Sequence, residues 1–272
     1  MKKYGVIGSP IKHSKSPDIF SYIFKNLNIN AKYYAEEILD NNAFNDFIIQ
    51  NKSIYSGLNI TAPFKKQAYQ IVDEIHSSAC DLNAVNCIKI ENGKLVGYNT
   101  DVFGFEMMLK TKQLNIENNT FLVLGNGASA EMVCSVLSDN YSNEINVWGR
   151  NIDKVKRFIE KINQIKLSSN LIRNYQKQEN KSYVIINCLP INIDKKSTDN
   201  ILSYIPISNT KLVIDLNYID SKLIQKLRLL NGNIQNGYEM LLFQALQSFE
   251  IWFEKYNGKV DYENIKKHII NE

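Results

Sequence analysis

No stretch of the 272 residues approaches the roughly 18 consecutive apolar residues that a membrane-spanning helix requires, so a membrane-embedded protein is not expected. The opening Met1-Lys2-Lys3-Tyr4-Gly5-Val6-Ile7-Gly8 has too short an apolar stretch, and no small-residue cleavage site, for a secretory leader. Cysteine and histidine are scarce. The four cysteines, Cys80, Cys87, Cys134 and Cys188, show no CxxC spacing and no pairing with the three histidines. A structural metal is therefore not expected, and reduced, buried thiols in a cytoplasmic protein are. An arginine-rich arm is missing too. The formal net charge of +4 comes from basic residues scattered along the chain, which argues against a nucleic-acid partner. Internal repeats and low-complexity tracts are also absent, although Asn, Lys and Ile are abundant.

What is present is an ordinary globular composition, 44% hydrophobic and 22% charged, over a length that suggests two domains. The first part alternates strand-like and helix-like segments. Strands are expected at Tyr4–Gly8, Lys32–Glu36 and Gly57–Ile60, and helices at Asp18–Asn26, Ala43–Gln50 and Lys65–Ile75. Asn86–Lys89 and Leu95–Tyr98 read as a hairpin closed by Glu91-Asn92-Gly93. Asp101–Lys112 reads as a helix that leads into a second α/β pattern. There Phe121–Leu124, Ile145–Trp148, Tyr183–Cys188 and Lys211–Leu216 are apolar on both faces, as strands of a covered parallel sheet are. Glu131–Leu137, Tyr238–Tyr256 and Tyr262–Ile270 are the remaining expected helices. Strands alternating with helices imply an α/β fold class.

Between the first strand of the second pattern and its helix lies Gly125-x-Gly127-x-x-Ala130. An apolar strand leads in, a helix leads out, and another strand arrives about twenty residues later, which is the setting of a dinucleotide-binding turn. Gly125 would permit the tight turn, Gly127 would let the backbone approach a pyrophosphate, and Ala130 would allow close helix packing. Free N–H groups at the helix start then face phosphate. The next strand ends in Trp148-Gly149-Arg150-Asn151, with Lys154 one turn on. A carboxylate there would serve a ribose hydroxyl; Arg150 instead suits a 2′-phosphate through paired hydrogen bonds. NADP is expected over NAD.

Ahead of that turn stand Asn59-Ile60-Thr61-Ala62-Pro63-Phe64-Lys65 and Tyr98-Asn99-Thr100-Asp101. Taken singly, Lys65 reads as a surface charge and Asp101 as a helix cap. With Ser14, Ser16, Asn59, Thr61, Asn86 and Asn99, all at strand-to-loop junctions, they outline a small pocket of neutral hydrogen-bonding groups. Such a pocket suits a compact polyol with one negative charge. A cation that can give a proton, an anion to hold it and a nucleotide cradle together suggest carbonyl reduction by a nicotinamide.

These motifs resemble those of the shikimate dehydrogenases. The segments that carry the resemblance are Gly8-Ser9-Pro10-x-x-His13-Ser14-x-Ser16-Pro17, Asn59 to Lys65, Ala84-Val85-Asn86, Gly97-Tyr98-Asn99-Thr100-Asp101-x-x-Gly104 and Gly237-x-x-Met240-Leu241-x-x-Gln244-Ala245. The resemblance spans nearly the whole chain in order. It implies that Ser14, Ser16 and Tyr218 hold a substrate carboxylate. It also implies that Asn59, Thr61, Asn86, Asp101 and Gln244 bond to ring hydroxyls, with Lys65 and Asp101 as the catalytic pair. His13 stays outside the catalytic set. The expected cofactor-binding residues are Gly125, Asn126, Gly127, Ala128, Ser129, Arg150, Asn151, Lys154, Leu216 and Gly237.

The implied activity is the reversible NADPH-dependent reduction of 3-dehydroshikimate to shikimate, on the route to chorismate and the aromatic amino acids. Lys65 would supply the proton, and Asp101 would keep it charged and oriented. The expected architecture is an N-terminal α/β substrate domain over residues 1–102, completed by helices in 238–272, and a Rossmann-type domain over 103–237, with a cleft between them. A monomer or homodimer is expected. Alternatives are a quinate/shikimate dehydrogenase working with NAD, a non-catalytic small-molecule binder on the same fold, and a Rossmann-type transferase. Departures from the family pattern fall in the second half. Ala128 replaces a glycine, Glu131 stands where the family has a cation, Gly149-Arg150-Asn151 replaces Asn-Arg-Thr, and Cys188-Leu189 replaces Ala-Thr after Asn187. A carboxylate at Glu131 would oppose a pyrophosphate unless it points away.

Overall fold

The computed structural model of the chain describes residues 1–112, 114, 119–139, 144–165, 172–176 and 181–270. It divides into two compact units, Met1–Met107 with Leu241–Glu272, and Met108–Met240. Both are α/β.

In the first unit the elements run β1 (Lys2–Gly8), α1 (Ser16–Asn26), β2 (Ala31–Glu37), α2 (Asn41–Asn51), β3 (Tyr55–Ile60), α3 (Lys65–Ile71), β4 (Glu74–Ile75), α4 (Ser77–Cys80), β5 (Cys87–Glu91), β6 (Lys94–Tyr98) and α5 (Asp101–Thr111). The sheet order is β2-β1-β3-β5-β6-β4. β1 is parallel to β2 and β3, β5 runs antiparallel to both β3 and β6, and β4 is parallel to β6. Asn92 and Gly93 both take positive φ (52° and 76°), the left-handed pair that a tight hairpin turn demands. Ile7, Leu58, Ile60 and Ile88 pack with Phe44, Ile48 and Ala68 from the helices in one buried cluster.

Several boundaries differ from the sequence-based expectation. α1 begins at Ser16, because Pro17 in the first turn removes only an N–H that has no helical partner there. α3 stops at Ile71. The following Glu74–Ile75 pairs with Val96–Gly97, and Leu95 N–H donates to Asp73 at 2.8 Å, so sheet bonds override the apolar spacing. The helix expected over Tyr238–Tyr256 ends early too, at Trp252.

The second unit runs β7 (Thr120–Leu124), α6 (Ala128–Asp139), β8 (Glu144–Trp148), α7 (Ile152–Ile165), β9 (Ile172–Asn174), β10 (Tyr183–Asn187), α8 (Lys195–Tyr204), β11 (Thr210–Asp215), α9 (Lys222–Asn231) and β12 (Ile234–Gln235). Its sheet has the order β12-β11-β10-β7-β8-β9, with parallel pairing throughout the described strands. This is a doubly wound arrangement whose direction of progress reverses between β7 and β10, the place where such sheets bind ligands. Leu122, Leu124, Ile185 and Val213 pack against Ile201, Leu223, Ile224 and Leu227 of α8 and α9. α6 begins at Ala128, taking in part of the segment expected to be turn.

α10 (Tyr238–Trp252) and α11 (Tyr262–Ile270) close the chain, a short 3-10 turn at Glu254–Tyr256 separating them. α10 carries the first unit's second layer. Trp252 lies against Tyr4 and Phe20, with ring centroids 4.9 and 5.3 Å away, and its Nε1 donates to the Ile88 carbonyl at 3.0 Å. No described helix is long and apolar enough to cross a membrane. The cysteines are free, but not all are buried as expected. Cys80 ends the four-residue α4 and is exposed, and Cys188 is half-buried in the loop after β10.

Candidate active site

Lys65 is the first residue of α3 and Asp101 the first of α5. The loops before both helices are held by hydrogen bonds. Thr61 N–H donates to Ile7 at 2.9 Å, Val85 N–H donates to the Lys65 carbonyl at 2.9 Å, and Asp101 N–H donates to Asn99 Oδ1 at 3.1 Å. Asn99 is in turn pinned by its Nδ2 bond to Ala84 at 2.9 Å. The result is contact between Lys65 Nζ and Asp101 Oδ2 at 2.6 Å, with the side chains 27% and 16% exposed. Partial burial limits the screening that makes surface pairs weak, while one side stays open to a ligand.

The neutral polar residues gather in the same unit. Asn59 and Asn86 are buried, Ser16 is buried, and Ser14, Thr61 and Gln244 are half-buried. Ser14 Oγ accepts from Ser16 N–H at 3.3 Å, which links the two serines. Asn59 Nδ2 donates to the Asn86 carbonyl at 3.2 Å, joining β3 to the loop before β5. Gln244, on α10, donates from Nε2 to its own helix at Leu241, 2.8 Å away. Tyr218 belongs to the second unit, where its ring lies 5.7 Å from that of Tyr238.

The second unit assembles the nucleotide turn. Gly125 takes φ +116°, a conformation side chains resist, and its N–H donates to the Trp148 carbonyl at 2.7 Å. Nothing lies within 4 Å of where a Cβ on Gly127 would stand, so that face of the turn is open to a ligand. Gly127, Ala128 and Ser129 are exposed at the start of the twelve-residue α6, and Asn126 is half-buried. Arg150 and Lys154 are exposed beyond β8. An open turn at a helix N-terminus with cations at the next strand end fits a phosphorylated dinucleotide. Asn151 does local work, its Oδ1 accepting from Lys154 N–H at 2.9 Å at the start of α7. Glu131 neither points at the turn unopposed nor stays in water. It is buried and ion-paired with Lys161 of α7, so its charge is cancelled within the fold.

At the ends of β10 and β11 a further cluster appears. Asp215, fully buried, accepts at Oδ1 from Asn187 Nδ2 (2.9 Å) and from Asn217 N–H and Nδ2 (3.1 and 3.0 Å), and Asn217 Nδ2 also donates to the Leu189 carbonyl at 3.0 Å. This ties together the two loops beside Leu216. Gly237 N–H donates to the Asn217 carbonyl at 3.0 Å, which brings Gly237 to the same place as Leu216. Burial lifts the Asp215 carboxyl from 3.8 to about 6, against the pull of its bonds from Asn217 and Asn187. A raised folded-state value stabilises the fold below the unfolded value, and that contribution is lost as pH climbs through the folded one. The shift corresponds to about 3 kcal/mol. Chemical denaturation from pH 4 to 7.5 is therefore expected to show Asp215→Asn gaining on the wild type by about that much. A difference that does not vary with pH would contradict this.

Sequence reasoning missed Asp215, Lys161, Tyr33 and Ser248. One of them had a signal: Ser248 lies four residues after Gln244, hence on the same face of α10.

Comparison with known proteins finds relatives over nearly the whole chain. Residues 6–88 match a family profile described as the shikimate dehydrogenase substrate binding domain, and residues 107–216 match shikimate / quinate 5-dehydrogenase. A shikimate dehydrogenase (NADP(+)) of Nitrosopumilus maritimus is 32% identical over 99% of this chain and 98% of its own length. The crystal structure of shikimate dehydrogenase from Aquifex aeolicus superposes with a TM-score of 0.81 at 28% identity, covering 100% of this chain and 98% of that one. A shikimate dehydrogenase crystallised in complex with NADP+ gives a TM-score of 0.82 at 28% identity, covering 100% of this chain and 95% of that one.

Proposed function

The chain belongs to the shikimate dehydrogenase family, and from that premise we propose that it reversibly reduces 3-dehydroshikimate to shikimate with NADPH, using Lys65 and Asp101 as its catalytic pair. It is an NADP-dependent oxidoreductase. The observation that carries the residue-level reading is the 2.6 Å contact of Lys65 with Asp101 among neutral hydrogen-bonding side chains.

In this reading the unit built on β1–β6 holds the substrate and the unit built on β7–β12 holds the cofactor. Bound NADPH supplies the hydride for the ring carbonyl carbon. Lys65 meets the negative charge that grows on the carbonyl oxygen and passes it a proton. Asp101 orients the ammonium, and in the oxidative direction Lys65 takes the proton back. Ser14, Ser16 and Tyr218 receive the substrate carboxylate, while Asn59, Thr61, Asn86, Asp101 and Gln244 meet the ring hydroxyls. Gly125 to Ser129, with Leu216 and Gly237, seat the dinucleotide, and Arg150, Asn151 and Lys154 surround its 2′-phosphate. Its place is the cytoplasmic route to chorismate and the aromatic amino acids.

The family profile of the second half also names quinate, so the deciding experiment is a steady-state comparison of shikimate and quinate, each with NADP and NAD. Shikimate with NADP is expected to give the highest kcat/KM. Arg150→Ala is expected to raise KM for NADP about 10- to 100-fold and leave the NAD reaction unchanged, since a charged hydrogen-bond pair is lost only with the phosphate. A preference for quinate with NAD would replace this reading.

A further inference from the structure

Asn59 and Asn86 sit in a directed chain of hydrogen bonds that reaches two residues without an assigned role, Tyr33 on β2 and Ser248 on α10. The direction of each bond follows from the groups themselves. The Asn86 carbonyl can only accept, so the Asn59 atom 3.2 Å from it is the amide nitrogen. Ser248 gives its hydroxyl proton to the Gln244 carbonyl at 2.9 Å, which leaves its oxygen to accept from Asn59 Nδ2, also at 2.9 Å. Both amide hydrogens of Asn59 are then used.

Its Oδ1 accepts from the Tyr33 hydroxyl at 2.8 Å. Burial holds the Tyr33 phenol well above its ordinary value, with a hydrogen bond from Ser16 pulling the other way, so Tyr33 is a lasting donor. Its ring is stacked on Phe20 at 4.3 Å, which fixes where that donor points. Asn86 is held in the same manner. Thr100 N–H can only donate, so the Asn86 atom 2.6 Å away is Oδ1, and Nδ2 gives one hydrogen to Thr100 Oγ1 at 3.0 Å. The Thr100 hydroxyl lies between two acceptors, Ser248 Oγ at 3.2 Å and Asn86 Oδ1 at 3.3 Å. Among the described residues, Asn59 keeps one acceptor position and Asn86 one donor.

We propose that Tyr33 and Ser248 are positioning residues that lock both amides. The substrate then meets an acceptor at Asn59 and a donor at Asn86, a pattern that selects a hydroxyl over a halogen or carbonyl at the Asn59 position. The inference rests on the reading that these two asparagines face the ring. Ser248 is the node of the lock, since it accepts from Asn59, lies 3.2 Å from the Thr100 hydroxyl and donates to the helix that carries Gln244.

The test uses the full-length enzyme, with Tyr33→Phe, Ser248→Ala and the double variant assayed on shikimate and on its 4-fluoro and 5-fluoro analogues. Each single variant is expected to raise KM for shikimate about 10-fold while kcat stays within about 3-fold, because a freed amide can turn away without disturbing the proton donor. The wild type is expected to reject one of the two fluoro analogues by about 10-fold or more, and each variant to shrink that discrimination. The double variant should add little to the worse single one. Asn59→Ala separates two kinds of failure. If it leaves KM unchanged, the placement of Asn59 against the ring falls, and this inference with it. If it raises KM while both hydroxyl variants keep wild-type KM and analogue discrimination, the placement stands and the lock is overturned. Equal losses in kcat, KM and melting temperature in both variants would likewise reduce Tyr33 and Ser248 to packing residues.

Discussion

Lys65→Ala is expected to lower kcat for shikimate by about 1,000-fold or more, with KM shifted by less than about 5-fold. The reason lies in when the ammonium matters. In bound shikimate the reacting oxygen is a neutral hydroxyl, whereas in the transition state it approaches a full negative charge. An interaction made chiefly at that moment appears in kcat and not in KM. Lys65 is 27% exposed and Asp101 16%, so the pair works where water only partly screens it. Asp101→Asn keeps a hydrogen-bonding partner for Nζ and is expected to lose less. Stopped-flow measurement of NADPH formation gives both quantities, and a Lys65→Ala enzyme with near-normal rate would remove Lys65 from the mechanism.

The second large effect is expected at Gly237. A Cβ there would stand 2.2 Å from the Leu216 carbonyl oxygen and 2.7 Å from its carbon. Both atoms are backbone, so no side-chain rotation relieves the clash. The loop after β11 must move, and it is held by the Asp215–Asn217 bonds and by the Gly237 N–H bond to Asn217 at 3.0 Å. Gly237→Ala is expected to destabilise by about 2–4 kcal/mol, lowering the melting temperature by roughly 10 °C. In the protein that remains folded, KM for NADP is expected to rise more than KM for shikimate. An unchanged melting temperature with normal cofactor KM would show that the loop yields freely.

Much of this was legible along the chain because local rules carried it. The Asn92-Gly93 hairpin needed two left-handed residues and had them, and the Gly125 turn follows its apolar strand directly. Lys65 and Asp101 lie 36 positions apart, but each stands at the first turn of a helix next to a polar loop, which made their pairing conceivable. What escaped notice was set by distant partners. Glu131 looked like an uncompensated anion because Lys161 is thirty residues away and nothing local announces it. Glu74–Ile75 continues an apolar spacing that suits a helix, and only the edge of β6 makes it a strand. Tyr33 reads as one more aromatic in a strand and Ser248 as a small residue in a helix. Their hydroxyls matter through partners 26 and 189 positions distant, a separation no periodicity encodes.

The first unit draws on both ends of the polypeptide, and α10 provides Trp252 over Gly57 as well as the Ser248 hydroxyl. During translation, therefore, the half that begins at the amino terminus emerges first yet finishes last. Its aromatic layer must wait, uncovered, while the nucleotide-binding half is synthesised and free to fold. Chains halted on the ribosome before α10 are therefore expected to leave this early-made half open to proteolysis, and chains extended past Trp252 to protect it.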